Sequence, residues 1–147
     1  MIVGVPREIY PGERRVALVP ATVPNLTKAG LQVALEAGAG AQAGYPDEEY
    51  ASKGAKVVPN RAEVFRTAEI VVQVLGHGAN DRTGKADLPL LRREQALIGF
   101  LRPLGSIEAV KELAATGVIC GLGAQGYERA LDALANLIGR GPDEVDR

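Results

Sequence analysis

Tryptophan is absent from this chain, histidine and cysteine occur once each, and phenylalanine only twice. With four tyrosines besides, few flat side chains are left on which unpaired bases could stack, which argues against a single-strand nucleic-acid binder. The lone thiol, Cys120, excludes an internal disulfide and fits a reducing compartment, so a cytoplasmic location is expected. No spacing of Cys, His and acidic residues matches a metal site. Excess positive charge is missing too: 17 Lys and Arg against 18 Asp and Glu give a net charge of -1, and no basic cluster stands out. Electrostatic attraction to nucleic acid is therefore not expected. No apolar run approaches the roughly 18 residues of a spanning helix. The opening "MIVGVPRE" lacks the basic region and long apolar stretch of a secretory signal.

What is present describes an ordinary globule: 147 residues, 46% apolar and 24% charged. Three junctions share one design, "TKAGLQVALE" (27–36), "SKGAKVV" (52–58) and "AATGVIC" (114–120). In each, a helical pattern meets a glycine suited to closing it, and an aliphatic run follows. Helices are expected over Thr22–Ala29, over "PDEEYASKG" with acids at its start, and over "SIEAVKELAATG" with Ser106 as N-cap. The last of these is expected to bury Ile107, Val110, Leu113 and Ala114. Strands are expected at Ile2–Val5, Gln32–Leu35, Lys56–Val58, Glu69–Val74, Ala96–Phe100 and Val118–Cys120. Their apolar runs are continuous rather than alternating, as in strands covered on both faces. Strand and helix alternate. The fold class is α/β: a Rossmann-like (flavodoxin-like) parallel sheet with helices on both faces, over one domain of residues 1–139 and a polar tail at 140–147.

"GAGAQA" (38–43) matches the dinucleotide fingerprint G-x-G-x-x-A, but the chemistry of that motif requires a helix to begin at the second glycine and aim its free amides at a pyrophosphate. Gly44, Tyr45 and Pro46 follow too soon for that, and the stretch reads as a structural glycine loop. The chain therefore lacks a glycine nucleotide fingerprint. "GHGANDRTGKADLP" (76–89) is the one long polar segment and is expected to be a mobile excursion, with His77 in solvent. Cys120, ending a buried strand, reads as a core residue.

"GVPREIYPGERRVALVP", a helix, then "GLQVALEAGAGAQAGYPDEEYASKGAKVV" resemble the start of the alanine dehydrogenase and nicotinamide nucleotide transhydrogenase family. The pattern G-[VI]-P-[KR]-E, a short loop, R-V-A, P and an E-x-G-A-G loop carries the likeness. "ALIGFLRPLGSIEAVKELAATGV" (96–118) looks more like the transhydrogenase alpha subunit. The resemblance implies hydride transfer: either between NAD(H) and NADP(H), coupled to proton movement across a membrane, or between NADH and a pyruvate-derived imine. It implies that NAD is bound mainly by a separate domain beyond this segment. The partner is then an NAD-binding domain or subunit, with a homodimer as a further option and a location peripheral to a membrane-embedded complex. A non-catalytic domain for oligomerisation or small-molecule sensing is the alternative.

Through the same resemblance, Arg15 in "ERRVA" occupies a position facing the interlobe cleft, where its guanidinium could hold a carboxylate. A local ion pair with Glu8 or Glu13 is the competing reading. Alanine dehydrogenases place a lysine and a histidine where this chain has Leu75 and Arg102, which weakens that activity and leaves Arg102 as an anion-binding candidate or a plain exposed arginine. Arg129 and Asp132 in "ERALDALANLI" fall in register with a transhydrogenase loop that contacts the nicotinamide. The same stretch also reads as an amphipathic helix with Leu131, Leu134 and Ile138 on one face.

Overall fold

A computed structural model describes residues 1–122. They form one six-stranded sheet from β1 (Ile2–Val5), β2 (Gln32–Glu36), β3 (Lys56–Val58), β4 (Ile70–Leu75), β5 (Ala96–Phe100) and β6 (Ile119–Leu122). The spatial order is β3-β2-β1-β4-β5-β6, and every neighbouring pair is parallel. The chain begins at the centre, winds outward to β3, returns to lay β4 beside β1, and winds outward the other way. This is the Rossmann order, with a switch point where the loops leaving β1 and β4 diverge.

The helices are α1 (Val23–Lys28), α2 (Asp47–Ser52), α3 (Arg61–Thr67) and α4 (Ile107–Thr116). Successive strand residues point to opposite faces, so β2 serves two cores at once. Val33 and Leu35 pack with Val5, Val23 and Tyr50 under α1 and α2. Ala34 points the other way and joins Val58 and Val64 of α3. A third cluster joins Phe65, Val71, Leu97, Leu101 and Leu113 under α4 and the 3-10 segment Gly84–Leu90. Gly4 is what lets α3 lie so close to the central strand. A Cβ there would stand 2.6 Å from the Cβ of Ala68 and 2.7 Å from Cγ1 of Val64.

All six expected strands form, with ends displaced by a residue or two, and Gly30, Gly54 and Gly117 follow α1, α2 and α4 as the three junctions require. Of the expected stripe on α4 only Leu113 is buried, and Ala114 is exposed. Ala109 and Leu113 are buried, whereas Ile107 is 68% exposed and Val110 39%. The helix leans on the β4–β5 connection, where Ala109 lies against Gly78, and this contact rotates the buried face away from Ile107. Ser106 does stand at the N-cap, without a side-chain capping bond.

Candidate functional site

The switch point is built from the loop after β1. Pairing of β1 with β4 ends at Gly4 and Val71, leaving later amides of β4 without a strand partner on that side. Glu8 takes them: its carboxylate accepts from the amides of Val74 (2.6 Å) and Leu75 (3.1 Å). Burial pushes the Glu8 carboxyl above the usual carboxylate range, opposed by those two amides and by the Arg61 guanidinium.

Arg7, one residue earlier, is fastened at both ends of its backbone. Its amide donates to Glu36 Oε2 at 2.8 Å, and its carbonyl accepts from Arg61 Nη1 at 2.5 Å. Arg61 in turn makes a two-pronged pair with Asp87, Nε and Nη2 each 2.6 Å from a carboxylate oxygen. Asp87 also accepts from Gln73 Nε2 at 3.0 Å, and Glu36 lies 3.7 Å from Arg61. Further along, Thr83 donates its hydroxyl to the Ile9 carbonyl at 3.0 Å, and the Arg82 guanidinium sits 5.8 Å from the Tyr10 ring centre. The loops after β1 and β4 are thus one hydrogen-bonded unit. Such charge-assisted bonds fix backbone geometry and suit a preorganised cleft wall.

That unit corrects two expectations. The segment 76–89 is not a loose excursion: Asn80 and Asp87 within it are buried, and residues 84–90 coil as a 3-10 helix. His77 is buried as well, with Nε2 2.6 Å from Glu112 Oε2 of α4, while Lys85 pairs with the other oxygen of Glu112. Nδ1 of His77 is enclosed without a hydrogen-bond partner among the described residues. Nothing local in the sequence could reveal this, since Glu112 lies 35 residues away. Arg61 and Gln73, by contrast, each carry a local signal in the sequence. An arginine in the first turn of a helix opposes the helix dipole, and a glutamine inside "IVVQVL" interrupts an apolar strand.

Arg15 forms a two-pronged pair with Glu13, Nε to Oε1 at 2.8 Å and Nη2 to Oε2 at 2.7 Å, and its own amide also donates to Glu13. Of the two local acids, Glu13 is the partner, because Glu8 is committed to β4. The Arg15 hydrogen bonds hold the Glu13 carboxyl down at about 2. Arg102 is exposed in the turn after β5, with a left-handed φ of 46°. β4 stands between β1 and β5, so the strands that lead into the loops of Arg15 and Arg102 are about 10 Å apart. Arg129 and Asp132 lie outside the described residues. Cys120 is half-buried, and burial pushes its thiol up.

The glycine loop is structural, as expected. The Gly38 amide, at the first glycine of the stretch, is spent on the Asp47 carboxylate at 2.9 and 3.0 Å, which ties the turn to the start of α2. Only a three-residue 3-10 turn, Ala41–Ala43, follows it. The described residues therefore do not fit a dinucleotide pyrophosphate here. Among them no group of three or more His, Cys, Asp or Glu is placed to hold a metal, and no helix is long and apolar enough to cross a membrane.

Residues 4–128 match the family described as "Alanine dehydrogenase/PNT, N-terminal domain". The chain belongs to that family. It is 40% identical over 147 aligned residues to the NAD(P) transhydrogenase subunit alpha of Cereibacter sphaeroides, an alignment covering 95% of this chain and 27% of that subunit. Among solved structures, an L-alanine dehydrogenase superposes with a TM-score of 0.74 at 33% identity, over 83% of this chain and 32% of the other. A transhydrogenase from Sinorhizobium meliloti gives a TM-score of 0.74 at 30% identity, over 83% and 34%. This alanine dehydrogenase/PNT N-terminal domain therefore spans about a quarter to a third of the length of the relatives it matches.

Proposed function

We propose that this domain is the N-terminal lobe of an NAD(P) transhydrogenase alpha subunit. It forms one wall of the cleft in which hydride passes between NAD(H) and NADP(H), while a separate domain or subunit grips the NAD(H). The observation that carries this is the closed glycine loop. With the Gly38 amide bound to Asp47, the Ala39, Ala41 and Ala43 amides turned onto backbone carbonyls and only a three-residue 3-10 turn following, the one fingerprint-like stretch of the described residues has no helix N-terminus to aim at a pyrophosphate, yet the switch point beside it is rigidly built. A wall that needs a nucleotide-binding partner has this character. Leu75 and Arg102, where the alanine-specific relatives are expected to carry a lysine and a histidine, favour transhydrogenation over pyruvate amination. The corresponding location is cytoplasmic, peripheral to a membrane-embedded complex.

The test is to titrate NADH into the purified chain, alone and with an NAD-binding domain from a transhydrogenase, following nucleotide fluorescence and hydride transfer to an NADP analogue. The expected outcome is no binding by the chain alone and transfer restored on mixing. NADH consumption that depends on pyruvate and ammonia would instead assign alanine dehydrogenase activity. Absence of both association and binding would favour the non-catalytic reading, which the engagement of Arg15 by Glu13 also supports.

A further inference from the structure

A cavity of about 650 Å³ opens at the carboxyl edge of the sheet, between the loop after β1 and the turn that follows β2. Its wall carries two carboxylates, Glu8 and Glu13, two arginines, Arg7 and Arg14, and the carboxamide of Gln42. Both acids are already matched. Glu8 is held by two β4 amides, and both oxygens of Glu13 are held by Arg15. The arginines are not. Neither the Arg7 nor the Arg14 side chain has an ion pair or hydrogen bond among the described residues, and both are exposed. The cavity therefore presents two uncompensated guanidinium groups. One of them springs from a backbone fixed by Glu36 and Arg61, so part of the ordering cost of binding is met before any ligand arrives.

We propose that this cavity is a binding site for a phosphoryl dianion, held by Arg7 and Arg14 with Gln42 at the rim. Planar guanidinium forks pair with phosphate oxygens two at a time, and two arginines lining one cavity match a charge of about two better than the single charge of a carboxylate. Arg15 is then a positioning residue. By pairing with both oxygens of Glu13 it offsets that carboxylate's charge on the cavity wall. The ligand is inorganic phosphate or the phosphate ester of a nucleotide, and the two sources share this chemistry. The site is independent of the hydride-transfer reading, and its test needs no partner.

The full chain is titrated calorimetrically with inorganic phosphate, with AMP and with acetate at low, fixed ionic strength. Saturable binding of phosphate or AMP is expected, tighter for AMP if the source is a nucleotide ester, with acetate much weaker. Arg7→Gln and Arg14→Gln should each weaken binding about tenfold, the loss of one charge-assisted contact. Arg15→Gln should weaken it as well by baring Glu13, and the double variant Arg15→Gln/Glu13→Gln should restore it, which a merely structural role for Arg15 would not produce. Arg66→Gln, on the exposed side of α3 in its own pair with Glu63, should change nothing. Circular dichroism checks that every variant folds. Phosphate binding unaltered in both the Arg7 and Arg14 variants, acetate binding as tightly as phosphate, or no saturable binding of either phosphate probe would overturn the proposal.

Discussion

Replacing Asp87 by asparagine probes the switch-point network most directly. Three donors converge on this carboxylate: Nε and Nη2 of Arg61, and Nε2 of Gln73. Asparagine has nearly the same shape but offers one acceptor oxygen and an NH2 group, so at least one donor must face another donor. Asp87 is 3% exposed and the Arg61 side chain 16%, so water cannot repair the loss. Breaking one side of a buried pair costs about 3–5 kcal/mol. Glu36, 3.7 Å from Arg61, retains part of the attraction and moves the expectation to the low end, about 3 kcal/mol. For a domain of this size that corresponds to a fall of roughly 10 °C in Tm. Urea unfolding followed by circular dichroism measures it. Hydrogen exchange should show the Arg7 amide losing protection ahead of the core strands, because Arg61 would no longer be held against the Arg7 carbonyl. Replacing both partners, Arg61→Leu with Asp87→Leu, should cost less than the two single losses added together. A single-variant loss below about 1 kcal/mol would refute the claim that this pair anchors the loop.

Glu8 has the opposite pH signature to an ordinary paired carboxylate. Its folded-state pKa is raised above 4.5, mainly by burial, so the folded chain holds the proton more tightly than the unfolded chain does. The resulting stabilisation is fully present below pH 4.5 and is lost as pH rises through the raised value. Wild type should therefore lose stability relative to Glu8→Gln as pH rises above 4.5, read from urea midpoints; a flat difference, or one of opposite sign, contradicts the assignment. Gly78→Ala should be severely destabilising, by about 3–5 kcal/mol, in thermal or urea melts. The backbone there has a φ of +103°, and an added Cβ would stand 2.2 Å from the Leu101 carbonyl oxygen. A well-folded variant of near wild-type stability would show that the β4–β5 connection is more pliant than its packing indicates.

The sequence by itself determined the architecture. Continuous aliphatic runs, three of them preceded by a helical pattern and a closing glycine, leave a parallel α/β sheet as the economical way to bury them, and such signals lie within ten residues of one another. It also showed that "GAGAQA" would not open a helix, since Gly44 and Pro46 stop the one that the motif needs. Tertiary structure decided what those elements meet. Glu8 finds its amides 66 and 67 residues away, Arg61 finds Asp87 across 26, and His77 finds Glu112 across 35. No local pattern encodes such separations. A polar stretch with a histidine reads as solvated until a helix is laid over it, and the apolar stripe of α4 is fixed only when Ala109 settles against Gly78. Local backbone preference and hydrophobic period write the fold into adjacent residues, whereas the charges of the site acquire partners, and hence roles, only once the strands have brought distant loops to the same edge.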